Sequence, residues 1–257
     1  MLEQAARCWR VLATGLSFAL FGLGGLVLRV LVFPVLSLAV PDPQRRVVVA
    51  RTVVRLTFRL FVGIMRLLGV LRYELVGIDK LERDGLLILA NHPTLIDTVF
   101  LMAFVRNADC IVKGDLWNNP FTRGPVRAAG YIDNGDGAEL VEACIGSLRA
   151  GSNLIVFPEG TRTGRDGTIE LKRGAANVAV RGARAVTPVL IRCQPRTLGK
   201  GEKWWHVPPR QAHFRIEVKD DIDVARFTDA GASEVMAARR LTDYLQHYFM
   251  EESQRHA

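Results

Sequence analysis

The chain has 257 residues, 49% of them hydrophobic, with a positive mean hydropathy, a net charge of +8 and a pI near 9.7. That length suits one α/β domain plus an accessory segment, and the apolar excess points to surface that meets lipid. The four cysteines, Cys8, Cys110, Cys144 and Cys193, stand far apart without a C-x-x-C pair, which excludes a local zinc motif and argues against a disulfide framework. A basic balance favours anionic partners, and the placement of the charges decides which.

The first apolar run, Val11 to Phe33, is broken only by Arg29. It is long enough to cross a bilayer if Arg29 snorkels to an interface. A break near Pro34 would give a re-entrant hairpin instead. Gly22, Gly24 and Gly25 suit close helix packing. Arg7 and Arg10 before the run, and Ser37-Leu38-Ala39 after it, faintly resemble a cleaved leader, but the apolar region is too long for one. A retained anchor is therefore expected. Basic residues on both flanks favour insertion with both ends on the cytoplasmic side.

Val47 to Leu71 reads as a helix. Arg51, Arg55 and Arg59 share one face, with Arg66 nearby, and no Asp or Glu occurs between Pro43 and Tyr73. Such a helix beside an apolar run is expected to meet an anionic membrane surface. Residues 1–72 thus read as a membrane-anchoring segment and 73–257 as a catalytic domain.

Strand candidates in the second part are Leu86–Ala90, Cys110–Val112, Leu154–Phe157, Val186–Arg192 and His213–Val218. Helix candidates are Thr98–Val105, Ala138–Leu148, Ala175–Arg181 and Ala237–Phe249. Their alternation predicts an α/β fold, a mixed sheet covered by helices. Trp204-Trp205 suits either a membrane interface or simple packing. His206, His213, His247 and His256 show no ligand spacing.

Two strand ends carry chemistry. Asn91-His92-Pro93-Thr94-Leu95-Ile96-Asp97 follows a strand and opens a helix. Pro93 keeps His92 out of the α region, and Asp97 is placed to reach back to a ring N–H, fixing the tautomer. Thr94 to Asp97 also spells a capping box, in which Asp97 only satisfies helix N–H groups. The second end is Phe157-Pro158-Glu159-Gly160-Thr161-Arg162. Gly160 allows close backbone approach, and Thr161 and Arg162 suit phosphate. The plainer reading is a surface turn with a Glu–Arg ion pair.

Together these motifs resemble the glycerophospholipid acyltransferase family, typified by enzymes that acylate 1-acylglycerol-3-phosphate. That family pairs a His five positions before an Asp with an F-P-E-G-T-R block. Lys113 to Gly124, Tyr131-Ile132-Asp133, Leu171-Lys172-Arg173-Gly174 and Val186-Thr187-Pro188-Val189 also look like family blocks. One position departs: many members carry an arginine after the Y-I-D step, where this chain has Asn134. The wording around Asn118 to Asn134 looks most like acyltransferases that accompany bacterial aryl-polyene or polyketide-like lipid pathways.

The resemblance implies catalytic His92 and Asp97, and substrate binding by Glu159, Gly160, Thr161, Arg162, Lys113 and Arg173. It also implies an acyl-CoA or acyl carrier protein (ACP) donor as co-substrate, no other cofactor and no metal. The acceptor would be a lysophospholipid-like or other lipid, at the inner (cytoplasmic) membrane with the catalytic domain facing the cytoplasm. A lipid-binding accessory protein with lost chemistry is the alternative, but it predicts broken motifs. No G-x-S-x-G nucleophile elbow occurs. The basic excess lies beside the apolar segment without interleaved stacking aromatics, so no nucleic-acid partner is expected.

Overall fold

In the computed structural model, residues 2–135, 137–164, 167–228 and 233–255 are described, so His256 lies outside the described residues. The apolar run is helical throughout: α1 (Leu2–Val27) continues through a π-helical turn (Leu28–Val32) into α2 (Phe33–Ala39). Of the two alternatives, the continuous helix is formed and the break near Pro34 is absent. Pro34 stands in the first turn of α2, where its missing N–H matters least, and the preceding π turn absorbs the change in hydrogen-bond spacing. The chain reverses at Val40–Asp42 instead. The Asp42 carboxylate accepts N–H bonds from Gln44 and Arg45 and caps α3 (Pro43–Leu67).

The helix ends before the expected Leu71. Gly69, with φ +75°, supplies a left-handed cap, with Gly69 N–H to Arg66 O at 3.1 Å and Val70 N–H to Met65 O at 3.0 Å. Leu71 then opens a strand.

The rest is β1 (Leu71–Val76), β2 (Leu87–Ala90), α4 (Asp97–Phe104), β3 (Ala108–Val112), α5 (Gly114–Asn118), α6 (Arg123–Ala128), β4 (Ile132–Asp133), α7 (Ala138–Arg149), β5 (Asn153–Val156), α8 (Gly174–Arg181), β6 (Val186–Gln194), β7 (Ala212–Val218) and α9 (Glu234–Gln254). The strands form one seven-stranded mixed sheet in the order β1-β7-β6-β2-β5-β3-β4. Every neighbouring pair is parallel except β6–β7. Ile88, Ala90 and Ile155 face a core shared with α3 and α4, including Phe100 and Met65. Leu87, Leu89 and Leu154 face the opposite core, with Leu148, Val178 and Leu241 from α7, α8 and α9. Burial on both faces explains why β2 and β5 read as unbroken apolar runs. The sequence reading left out the edge strands β1 and β4 and the short helices α5 and α6.

The N-terminal helices lie against the domain along their length. Trp9 Nε1–H donates to Leu68 O at 2.9 Å, and Phe21 packs on Phe58 and Phe61. Trp204 covers Gly15 and lies beside Phe18 while staying partly exposed. Gly25 abuts the Phe121 carbonyl, where any side chain would collide. Arg29 donates to Pro120 O at 3.0 Å.

The basic face of α3 is divided: Arg51 turns into the core, whereas Arg59 and Arg66 stay exposed. Arg51 is buried in an ion pair with Asp109 at 2.7 Å. It also donates to Ala129 O, Asn107 Oδ1 and Ser152 Oγ. Arg59 and Arg66 lie over the rings of Phe104 and Tyr73. The face that α3 exposes carries Leu56, Leu60 (65% exposed) and Leu67 (87%), flanked by the exposed Arg59 and Arg66.

Candidate active site

Strands β2 and β5 are parallel neighbours, with Leu87 opposite Leu154 and Leu89 opposite Val156. They end on the same sheet edge, so residues 67 apart in sequence meet there. Crevices at the carboxyl ends of parallel strands are where α/β folds bind ligands. The exit of β2 is pinned by Asn91, whose buried amide donates to Ile191 O at 2.9 Å and accepts Ile191 N–H at 2.7 Å. Pro93 then turns His92 out of the sheet.

The His92 ring Nδ1 lies 2.9 Å from Asp97 Oδ2. Asp97 opens α4 and is fully buried. Its carboxylate also accepts the Thr94 N–H at 2.6 Å and the Thr94 hydroxyl. The capping box is not formed, because Ile96, not Thr94, is the N-cap of α4 and it has no side-chain cap. The Asp97 carboxylate instead holds the turn ahead of the helix and the ring together. With Asp97 ionised, the shared proton resides on Nδ1, and Nε2 is the basic nitrogen directed away from the carboxylate. The imidazole stacks on Phe157, ring centroids 4.1 Å apart. Burial pushes the Asp97 carboxyl above the ordinary aspartate range, opposed by hydrogen bonds from His92 and Thr94.

Glu159 staples the two motifs together. Its Oε1 accepts the His92 backbone N–H at 2.8 Å and the Thr163 hydroxyl at 3.0 Å. Thr163 N–H donates to His92 O at 2.8 Å. Burial raises the Glu159 carboxyl, opposed by those two donors. Gly160, at φ +67°, closes a turn through its N–H to Phe157 O at 3.0 Å. The space a Cβ would fill there is taken by the Lys172 side chain. Arg162 does not pair with Glu159; its Nη1 donates to Leu198 O at 3.0 Å and Gly199 O at 2.9 Å, tying down the loop after β6.

The structure thus brings His92, Asp97, Glu159 and Gly160 together, with Arg162 drawn to the neighbouring loop. Thr161 and Arg173 are exposed beside this turn, Arg173 just ahead of α8. Lys113 is exposed just past β3, the strand on the far side of β5. Asn134 follows β4 one strand further out, its N–H bonded to Val112 O. Thr163, Asn91 and the Phe157 ring had no role in the sequence reading, and Thr94 entered it only through the capping-box pattern. Phe157 and Thr163 border the E-G-T-R block, so adjacency was an available signal. No local signal marks the Leu198–Gly199 contact.

No thiol competes as nucleophile at this edge. Burial pushes Cys144 and Cys193 up to about 12 and Cys110 further in the same direction, so all three stay protonated at neutral pH. Cys8 sits apart on α1.

A sequence model of the Acyltransferase family matches residues 72–192, which contain both strand-end motifs. The chain is an acyltransferase. It is 26% identical over 185 residues to a Helicobacter pylori 1-acyl-sn-glycerol-3-phosphate acyltransferase, covering 68% of this chain and 75% of that protein. It is 27% identical over 146 residues to the Saccharomyces cerevisiae protein of the same name, covering 53% of this chain and 48% of that one. The Pseudomonas aeruginosa protein of that name is 26% identical over 148 residues, covering 54% and 56%. The fold is shared with the 1-acyl-sn-glycerophosphate (LPA) acyltransferase PlsC from Thermotoga maritima, at a TM-score of 0.69, 20% identity and 98% coverage of both chains. Residues 72–192 thus carry the match to the Acyltransferase family, and the chain is similar to 1-acyl-sn-glycerol-3-phosphate acyltransferases in sequence and to PlsC in fold.

Proposed function

We propose that this protein transfers a fatty acyl group from acyl-ACP or acyl-CoA to a hydroxyl of a lysophospholipid-like acceptor, with His92 as general base. The observation that carries this reading is the 2.9 Å contact between His92 Nδ1 and the buried Asp97. Nε2 takes the acceptor hydroxyl proton as the oxygen attacks the thioester carbonyl. The imidazolium, stabilised by Asp97, returns that proton to the departing thiolate. The products are the ester and the free thiol, and no acyl-enzyme forms. Glu159 acts on this reading as a positioning residue, through the His92 backbone. Thr161, Lys113, Arg173 and the remaining N–H groups of Arg162 are the cationic and polar groups for the acceptor's phosphate or the donor. Asn134 in place of arginine favours an acceptor without a phosphate at that point.

The N-terminal helices support a membrane-bound substrate. The seam between them and the domain, lined by Thr14, Met65, Val70, Ile96, Leu198 and Phe214, is closely packed, with room for about one water. The helical run from Gln4 to Ala39 is long and apolar enough to cross a membrane. Its contacts with the domain from Trp9 to Arg29 favour a helix lying in one leaflet instead. Leu12, Leu16 and Leu23 of α1 and Leu56 and Leu60 of α3 form the exposed face that would enter it. The inner membrane, with the catalytic domain on the cytoplasmic side, is the proposed location.

The test uses purified His92→Ala and Asp97→Asn in lipid vesicles, with acyl-CoA and acyl-ACP offered separately. His92→Ala is expected to lose roughly 10²–10⁴-fold in acyl transfer. Full activity in both variants, with native folding, would remove the mechanism.

A further inference from the structure

The exposed arginines of α3, Arg59 and Arg66, are not the only basic groups near the apolar surface. Arg51 is spent in the buried pair with Asp109. Arg59 and Arg66 lie 5.6 and 5.4 Å above domain aromatic rings. Two other arginines converge where α2, the first turns of α3 and α6 meet. There a crevice of about 270 Å³ is lined by Phe33, Leu36, Arg46, Val47, Arg127 and Ala128. Its walls are apolar, and its two charged lining residues carry the same sign. Arg46 makes one long bond, to Ser37 O at 3.4 Å. Among the described residues neither arginine has a carboxylate partner. The nearby Asp42 carboxylate is occupied by the Gln44 and Arg45 N–H groups.

The surroundings set the ligand class. The outer face of α2 exposes Val35 and Leu38 (85% exposed) and continues the apolar surface of α1. The crevice therefore lies at the rim of the surface proposed to enter the bilayer, at headgroup depth. Guanidinium forks bind phosphate oxygens, and Phe33 and Leu36 offer an adjoining track for an acyl chain. Arg46 is also separated by roughly 30 Å of helix from Met65, which packs beside Ile96 just ahead of Asp97. The geometry points to a headgroup site for an anionic phospholipid between Arg46 and Arg127, distinct from the catalytic edge. This rests on the membrane-surface reading above. It places a specific headgroup contact at the start of α3, ahead of the exposed Arg59 and Arg66.

The experiment measures binding of the full chain to vesicles of phosphatidylcholine alone, and of phosphatidylcholine with roughly one-fifth phosphatidylglycerol. Losing two basic residues at the surface is expected to cost about tenfold in preference for the anionic vesicles. Arg46→Gln/Arg127→Gln should show that loss and keep its binding to neutral vesicles. Arg59→Gln/Arg66→Gln should keep the preference within about twofold. Equal losses in both double variants would mean diffuse charge and overturn the site, as would an unchanged preference in Arg46→Gln/Arg127→Gln. Soluble dihexanoyl phosphatidylglycerol should compete with vesicles for the wild type. Competition of equal strength from inorganic phosphate would make the crevice a free-phosphate site and overturn the lipid assignment. A wild type that ignores both vesicle types would sink the membrane reading itself, a result distinct from failure of this site alone.

Discussion

The carboxyl edge of the sheet and the N-terminal helical layer are built from the same kinds of residues but follow different rules. At the sheet edge, charged groups are held by contacts that the chain's neighbours make unavoidable. Asp97 reaches Thr94 and His92 within one turn, and Glu159 reaches His92 because two parallel strands end side by side. In the helical layer, arginines of regular spacing take unrelated partners. Arg51 meets Asp109 in the core, Arg59 meets Phe104, and Arg46 borders a crevice. Local spacing predicts function where the partner is close in sequence or one strand away. It fails where the partner is chosen by how a long helix docks.

The comparison breaks most visibly at Arg51. Arg51→Ala leaves Asp109 buried without its cation, with Ser147 and the Cys110 N–H as the other groups on that carboxylate. A loss of about 3–5 kcal/mol is expected, on the order of 10 °C in Tm. Thermal unfolding in detergent checks it. A loss below about 1 kcal/mol would put Arg51 back among surface arginines.

A smaller effect of opposite sign is expected at the carboxyl edge of the sheet. Burial raises the Glu159 carboxyl, so its charged form costs stability in the folded state. That cost is absent below the ordinary glutamate range, grows as pH rises from there to the raised value, and is constant above it. Glu159→Gln can keep both accepted hydrogen bonds through its carbonyl oxygen. Its Tm is expected to match the wild type at acid pH and to exceed it by a few degrees at neutral pH. A variant less stable than the wild type at neutral pH would show that Glu159 is needed as an anion for the fold.

Much of this molecule is legible from the chain alone. The buried strands β2, β5, β6 and β7 read as apolar or alternating runs, and both strand-end motifs stand out through proline, glycine and charge. The edge strand β1 hides because Leu71 continues the apolar pattern of α3, and only the left-handed Gly69 separates them. Helix α2 hides its continuity because a π turn accommodates Pro34. Arg162 was read as a phosphate ligand or as the partner of Glu159. The loop that claims its Nη1 lies 36 and 37 residues downstream and carries no motif.

The central claim is that Asp97 fixes His92 with its proton on Nδ1 and its basic lone pair on Nε2. Nitrogen NMR of histidine-labelled protein at alkaline pH reads this directly. The wild type is expected to show the Nδ1-protonated tautomer for His92, and Asp97→Asn a redistribution toward the Nε2-protonated form. A wild-type His92 carrying its proton on Nε2 would contradict the account.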